Sequence, residues 1–136
     1  MTVAVHSPVL WRLQTATGSV AYCSQRIYPA RLPQDPQLPA MTYQVISAPR
    51  EHAMGSDPGH VHARVQVDIY DKTYLGTVSG GKWVREALSR WGGTASGVIV
   101  FQSFLDNEID AYEQTLEGAD RRVWRRTLDF IIHYQE

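Results

Sequence analysis

The stretch VHARVQVDIY, residues 61–70, alternates without a fault. Val61, Ala63, Val65, Val67 and Ile69 fall on one side, His62, Arg64, Gln66, Asp68 and Tyr70 on the other. Successive side chains of a strand point to opposite faces, so a period of two held this long commits the segment to a half-buried strand. Whatever fold the chain adopts must build a sheet around this strand and cover its apolar face.

The neighbouring segments supply more of that sheet. MTYQVISAPR (41–50) is rich in β-formers and stops at Pro49, which predicts a strand. EHAMGSDPGH (51–60), with Gly55, Asp57-Pro58 and Gly59, predicts an exposed loop. Beyond residue 96 two long strands are predicted, 97–112 and 122–134, with EGAD (117–120) near the turn. In the second, Leu128, Phe130, Ile132 and Tyr134 share a face opposite Thr127, Asp129, Ile131 and His133.

Two segments follow the helical period instead. Ser7-Pro8 offers a capping hydroxyl and a first-turn proline, and Val9, Leu10 and Leu13 follow at helical spacing, so a short helix is predicted over 7–17 with Gly18 as its stop. Between Lys72 and Trp91, the residues Trp83, Val84, Ala87, Leu88 and Trp91 form an apolar stripe ended by Gly92-Gly93. Gly80-Gly81 interrupts that segment, each glycine costing about 1 kcal/mol against alanine in an exposed helix. Either the helix starts near Gly81, or the glycines let its backbone approach the sheet closely.

Between the first helix and the strand at 41–50 lies RIYPARLPQDPQLPAMTYQ (26–44), where Pro33, Pro36 and Pro39 recur every third residue. That spacing fits one face of a polyproline helix offered to a groove. Ile27, Tyr28, Leu32 and Leu38 among the prolines favour a strap packed on its own molecule. The expectation is a single α+β domain over residues 1–136. It comprises a mainly antiparallel four-stranded sheet with helices packed on one side, in the order α-β-β-α-β-β.

At 136 residues, 43% hydrophobic and 20% charged, the chain suits one domain rather than a disordered segment. A formal charge of −1 gives no global reason to expect nucleic acid as a partner. Cys23 stands alone, which excludes an intramolecular disulfide and fits a reducing compartment. No apolar run approaches the ~18 residues of a membrane span, and the first residues do not resemble a secretory signal. Eleven arginines against two lysines suit partly buried ion pairs and protein interfaces, although a GC-rich coding bias gives the same count.

The residues that could carry chemistry are few. His60 and His62 form an H-x-H pair on one strand face and, with His52 from the preceding loop, could hold zinc with an open position. His133 reads as a sheet-face residue. Cys23 has no recognisable nucleophile context, the glycine-containing stretches form no phosphate or dinucleotide fingerprint, and Asp68, Asp71, Asp106 and Asp110 read as turn or surface aspartates rather than a catalytic pair. No enzyme, cofactor or metal is expected.

Charge layout is more informative. Six acids and no base occupy residues 106–120, and Arg121, Arg122, Arg125 and Arg126 follow at once. Asp106, Glu108 and Asp110 alternate, so a regular strand displays them on one face. The two signs pair within one hairpin, or they meet on different subunits in a head-to-tail contact of the kind that closes a ring.

Taken together, the short first helix, RIYP (26–29), the proline-bearing strap into LPAMTYQVIS, RVQVDIYDKTY (64–74) leading into a helix, DNEIDAYE (106–113) and the closing RTLDFIIHY (126–134) resemble the tail-completion or tail-terminator proteins of long-tailed phages and gene transfer agents. The resemblance covers about residues 7–134 and departs at Gly80-Gly81, where the family has an alanine-rich helix. It implies a structural virion protein, located at the head-tail junction and in the host cytoplasm during assembly. Such a protein caps the tail tube as a ring, commonly a hexamer, ends elongation and meets the head connector. The implied partners are further copies of itself, the tail tube protein and the head-tail connector or stopper. DNA would pass through the ring without sequence-specific contact. Candidate interface residues are Arg50, His52, Asp106, Glu108, Asp110, Arg121, Arg122 and Arg125. The rival expectations are a small ligand- or metal-binding domain and an adaptor that uses its proline strap.

Overall fold

In the computed structural model of the chain, the strand predicted over 61–70 is β3, His60–Asp71, and its alternation is realised directly. Val61, Ala63, Val65, Val67 and Ile69 are at most 1% exposed. The structure describes residues 6–16, 18, 22–23, 26–33, 37–50, 55, 59–95, 97–113 and 123–135.

On one side of β3 lies the antiparallel β2, Ala40–Ser47, and on the other the antiparallel β6, Val123–Gln135. β5, Val98–Glu113, pairs with β6 in turn. Leu128, Phe130, Ile132 and Tyr134 of β6 are fully buried, on the face predicted for them.

The four-stranded antiparallel sheet expected from the sequence is overturned. Six strands run in the order β1-β2-β3-β6-β5-β4, and the sheet is mixed and curls into a half-barrel, so the flat layer with helices stacked on one side does not describe it. Two short strands make the difference. β1, Ile27–Pro29, is formed by the start of the proline strap and pairs parallel with β2. β4, Gly93–Ala95, begins at the second residue of the double glycine and pairs with Val98–Val100 of β5. Among the described residues the order of these elements is therefore α1-β1-β2-β3-α2-β4-β5-β6, with α1 spanning His6–Thr15 and α2 spanning Tyr74–Leu88. Pro29 ends β1 because the strap turns there: Ala30, in the left-handed region at φ 66°, donates its N–H to the Tyr43 carbonyl at 2.8 Å.

The two helices supply the apolar cover that β3 requires. Val9 and Leu13 of α1 join Val84, Ala87 and Leu88 of α2, with Trp91 just beyond, against the inner row of the sheet. Arg12 donates its Nε–H to the Ala87 carbonyl at 2.6 Å, so α1 satisfies part of the otherwise unpaired C-terminal end of α2. At the other end Thr73 caps α2, its hydroxyl accepting from Gly76 N–H.

The ambiguity at Gly80-Gly81 resolves in favour of close approach, since α2 runs unbroken from Tyr74. A Cβ at Gly80 would stand 2.7 Å from Ile69 Cγ2 and 2.7 Å from the Tyr22 ring. α2 stops at Leu88, before the double glycine, because Arg90 itself takes the left-handed conformation at φ 57°.

Candidate functional site

The inner and outer faces of the sheet carry different chemistry, and a bulge decides which acid belongs to which. Pairing between β5 and β6 shifts register between Leu105 and Asn107. The row Asp106, Glu108, Asp110, expected on one face, is therefore split. Asp106 meets Arg64 at 2.8 Å, and Arg64 sits on the outer face between the buried Ala63 and Val65. Glu108 is held by Arg85 of the helix α2 at 2.8 Å and by Arg126 of β6, so it faces inward. Asp110 also takes Arg126, at 2.8 Å, and accepts from the Tyr74 hydroxyl at 3.0 Å. Burial alone would lower the Arg126 pKa, but the hydrogen bond it donates to Glu108 and the charges of both carboxylates outweigh it and raise it.

The other predicted positions are distributed as follows. Arg50 is exposed, bridges to Val61 beside the start of β3, and donates to the Ala48 carbonyl at 3.0 Å. Arg125 is half-buried, opposite Tyr70 on one side and Ala111 on the other. His52, Arg121 and Arg122 lie outside the described residues, as does Pro36 of the strap. Tyr28, Leu32 and Leu38 are half-buried.

The aspartates do not converge on a common point. Asp68 and Asp71 are three residues apart on one strand and so face opposite ways. Asp68 is buried, accepting from the Thr127 hydroxyl and, at 3.0 Å, from the Gln66 amide. Asp71 accepts from the Tyr22 hydroxyl at 2.7 Å. Burial, then this bond, pushes the Tyr22 phenol far above its ordinary value. The Cys23 thiol is buried and pushed up to about 11, which suits an inert core residue rather than a nucleophile.

The sequence pattern left two features of the outer surface unseen. One is a line of exposed apolar side chains along β5: Ile99, Phe101, Phe104 and Ile109, each between 43% and 53% exposed. The other is the open edge of β5. β4 covers only Val98–Val100, and Arg90 N–H then bonds the Ser103 carbonyl at 2.7 Å. From Phe104 to Glu113 no strand among the described residues pairs along that side.

Exposed apolar rows and open strand edges of this kind are, as a rule, covered by other protein. The family model for tail completion protein gp17 matches residues 9–135. The chain belongs to that family. Its members are structural proteins of phage-type tails. A chain from the virion of a native gene transfer agent particle shares the fold, with a TM-score of 0.65 and 14% identity over 94% of this chain and 92% of that one. No curated protein sequence matches significantly. Among the described residues no helix is long and apolar enough to cross a membrane.

Proposed function

We propose that the chain caps a finished tail tube as a closed ring of identical copies, ends the tube's elongation and presents a surface to the head-side connector. The observation that carries this is the family match across residues 9–135, nearly the whole chain. Its partners in this role are copies of itself, six by analogy with the family, the tail tube protein and the connector or stopper. It assembles in the host cytoplasm and remains at the head-tail junction, with DNA threaded through the ring and no base read.

The contact surface in this proposal comprises the exposed edge and apolar row of β5, Arg50 with His52 from the segment that follows it, Arg121 and Arg122 from the segment that links β5 to β6, and Arg125 of β6. Asp106, Glu108 and Asp110 keep lone pairs beyond their internal partners, and the side chains of Asp106 and Asp110 remain 44% and 37% exposed. A ring needs two different patches that fit each other, since a self-complementary patch closes at a dimer. In this proposal residues from separate parts of the fold supply the two patches.

Electron microscopy of particles carrying a labelled chain tests the location, and density anywhere but the junction of tube and head removes the proposal. Arg121→Glu with Arg122→Glu tests the surface. The double variant should remain a folded monomer and lose association with purified tubes. Normal assembly would show that the chosen surface is wrong.

A further inference from the structure

The strict alternation of β3 places His60 and His62 on the outer face, two residues apart along the strand. The antiparallel register of β3 and β6 puts His133 directly opposite His62. The three rings meet: centroids lie 4.7 Å apart for His60–His62, 4.3 Å for His62–His133 and 5.4 Å for His60–His133. His60 Nε2 lies 3.2 Å from His133 Nδ1, and one nitrogen from each residue falls within 4.8 Å of the other two.

We propose that His60, His62 and His133 form a three-imidazole site for a divalent cation of the zinc type, with one coordination position open to the outer face. Tetrahedral coordination with metal–nitrogen bonds of about 2.0–2.1 Å requires donors about 3.3 Å apart. One pair is already at that spacing, and the donor of the third ring lies within 4.8 Å of both. An all-nitrogen donor set selects Zn²⁺, Cu²⁺, Ni²⁺ or Co²⁺ and discriminates against Mg²⁺ and Ca²⁺, which take oxygen ligands. Two strands hold the three side chains on paired backbone. Phe101 packs on His60 at 5.4 Å and Phe104 on His133 at 5.8 Å, a pair of rings that limits where the imidazoles can turn. The fourth position is left for water or for a donor from another molecule docking on the same face. The sequence pattern pointed to His52 as the third ligand. The register supplies His133 instead, 73 residues from His60 along the chain.

The site is independent of the tail proposal, and each can fail without the other. Zn²⁺ titrated calorimetrically into metal-free full-length protein should bind at one equivalent per chain, undisturbed by excess Mg²⁺. Co²⁺ in place of Zn²⁺ should give the visible absorption of a tetrahedral nitrogen site. His62→Ala and His133→Ala should each weaken Zn²⁺ by at least about tenfold and abolish the Co²⁺ band. His6→Ala should bind as wild type. His62→Gln and His133→Gln, which keep more of the side-chain volume, serve if the alanine variants lose the wild-type circular dichroism in chelator. Absence of saturable one-equivalent binding by the wild type overturns the site, and so does undiminished affinity in a folded His133 variant.

Discussion

At Gly80, helix propensity and packing pull in opposite directions, and the distances say which prevails. In an exposed helix Gly→Ala gains about 1 kcal/mol. Here the added methyl would meet Ile69, which is fully buried, and the Tyr22 ring, which its hydrogen bond to Asp71 holds in place. Neither can step aside cheaply. Gly80→Ala should therefore destabilise by roughly 1–3 kcal/mol in urea unfolding, and a gain in stability would contradict the close approach. A methyl at Gly81 would stand 2.8 Å from Arg126 Cδ and 3.0 Å from the Glu108 carboxylate, so Gly81→Ala should also destabilise, by forcing these ion-paired side chains to shift. A pH prediction belongs at this scale too. Burial raises the Cys23 thiol from 9.0 to about 11 against an opposing pull from Arg26. Between those values the unfolded chain releases a proton that the folded chain keeps, so stability is complete below about pH 9 and falls as pH rises, by up to ~1.4 kcal/mol per unit. Tyr43, raised by burial as well, acts in the same direction. Thermal unfolding followed between about pH 8 and 11 should show this decline, and Cys23→Ala should make it shallower without removing it.

Among the elements, the β5–β6 ribbon carries the clearest energetic contrast. Arg126 reaches Glu108 and Asp110 across the strands, its side chain only 13% exposed, while Glu108 is shared with Arg85 of α2. Removing a partly buried cation strands two carboxylates, so Arg126→Ala should cost roughly 1–3 kcal/mol, between the values for exposed and fully buried pairs. Arg64–Asp106 has both side chains more than one third exposed, and Arg64→Ala should leave the melting temperature at the wild-type value. If the two variants melt alike, the inward placement of Glu108 is not contributing. These pairs also mark how far the sequence could be read. β3 and β6 were legible because one face of each is buried over many residues, and α1 because Val9, Leu10 and Leu13 recur at helical spacing, although the helix already includes His6, ahead of the hydroxyl and proline expected to start it. β1 and β4 have three residues each, too few for any period to show, and exist because neighbouring strands offer an edge. The bulge after Leu105 has no signature in a row of alternating acids, so the split between Asp106 and Glu108 became visible only through their partners. His133 joined His60 and His62 for the same reason: register is a property of two strands, and neither one's sequence states it alone.

The molecule as a whole presents two unlike sheet edges. β1 ends at Pro29 after three residues and turns away through Ala30, which blunts that edge against further pairing. Among the described residues no strand pairs with β5 on its side away from β6 from Phe104 to Glu113, and Phe104 and Ile109 are exposed along it at 43% and 53%. A long, partly apolar open edge normally invites uncontrolled association, and its retention is explained if a neighbouring copy covers it in the proposed ring. The inequality of the edges also matters for closure. Two β5 edges pairing with each other would give an isolated dimer, whereas β5 against any other patch propagates around a ring. Lysine at this edge should separate folding from assembly, since both positions are solvent-facing in the single chain. Phe104→Lys combined with Ile109→Lys should leave the circular dichroism spectrum and the unfolding midpoint close to wild type. In light scattering behind a sizing column, the same variant should shift the population toward monomer and lose tube binding. Wild-type assembly by this variant would clear β5 of any part in the contact, and a uniform dimer in the unmodified protein would mean that the edge pairs with itself and the ring does not form through it.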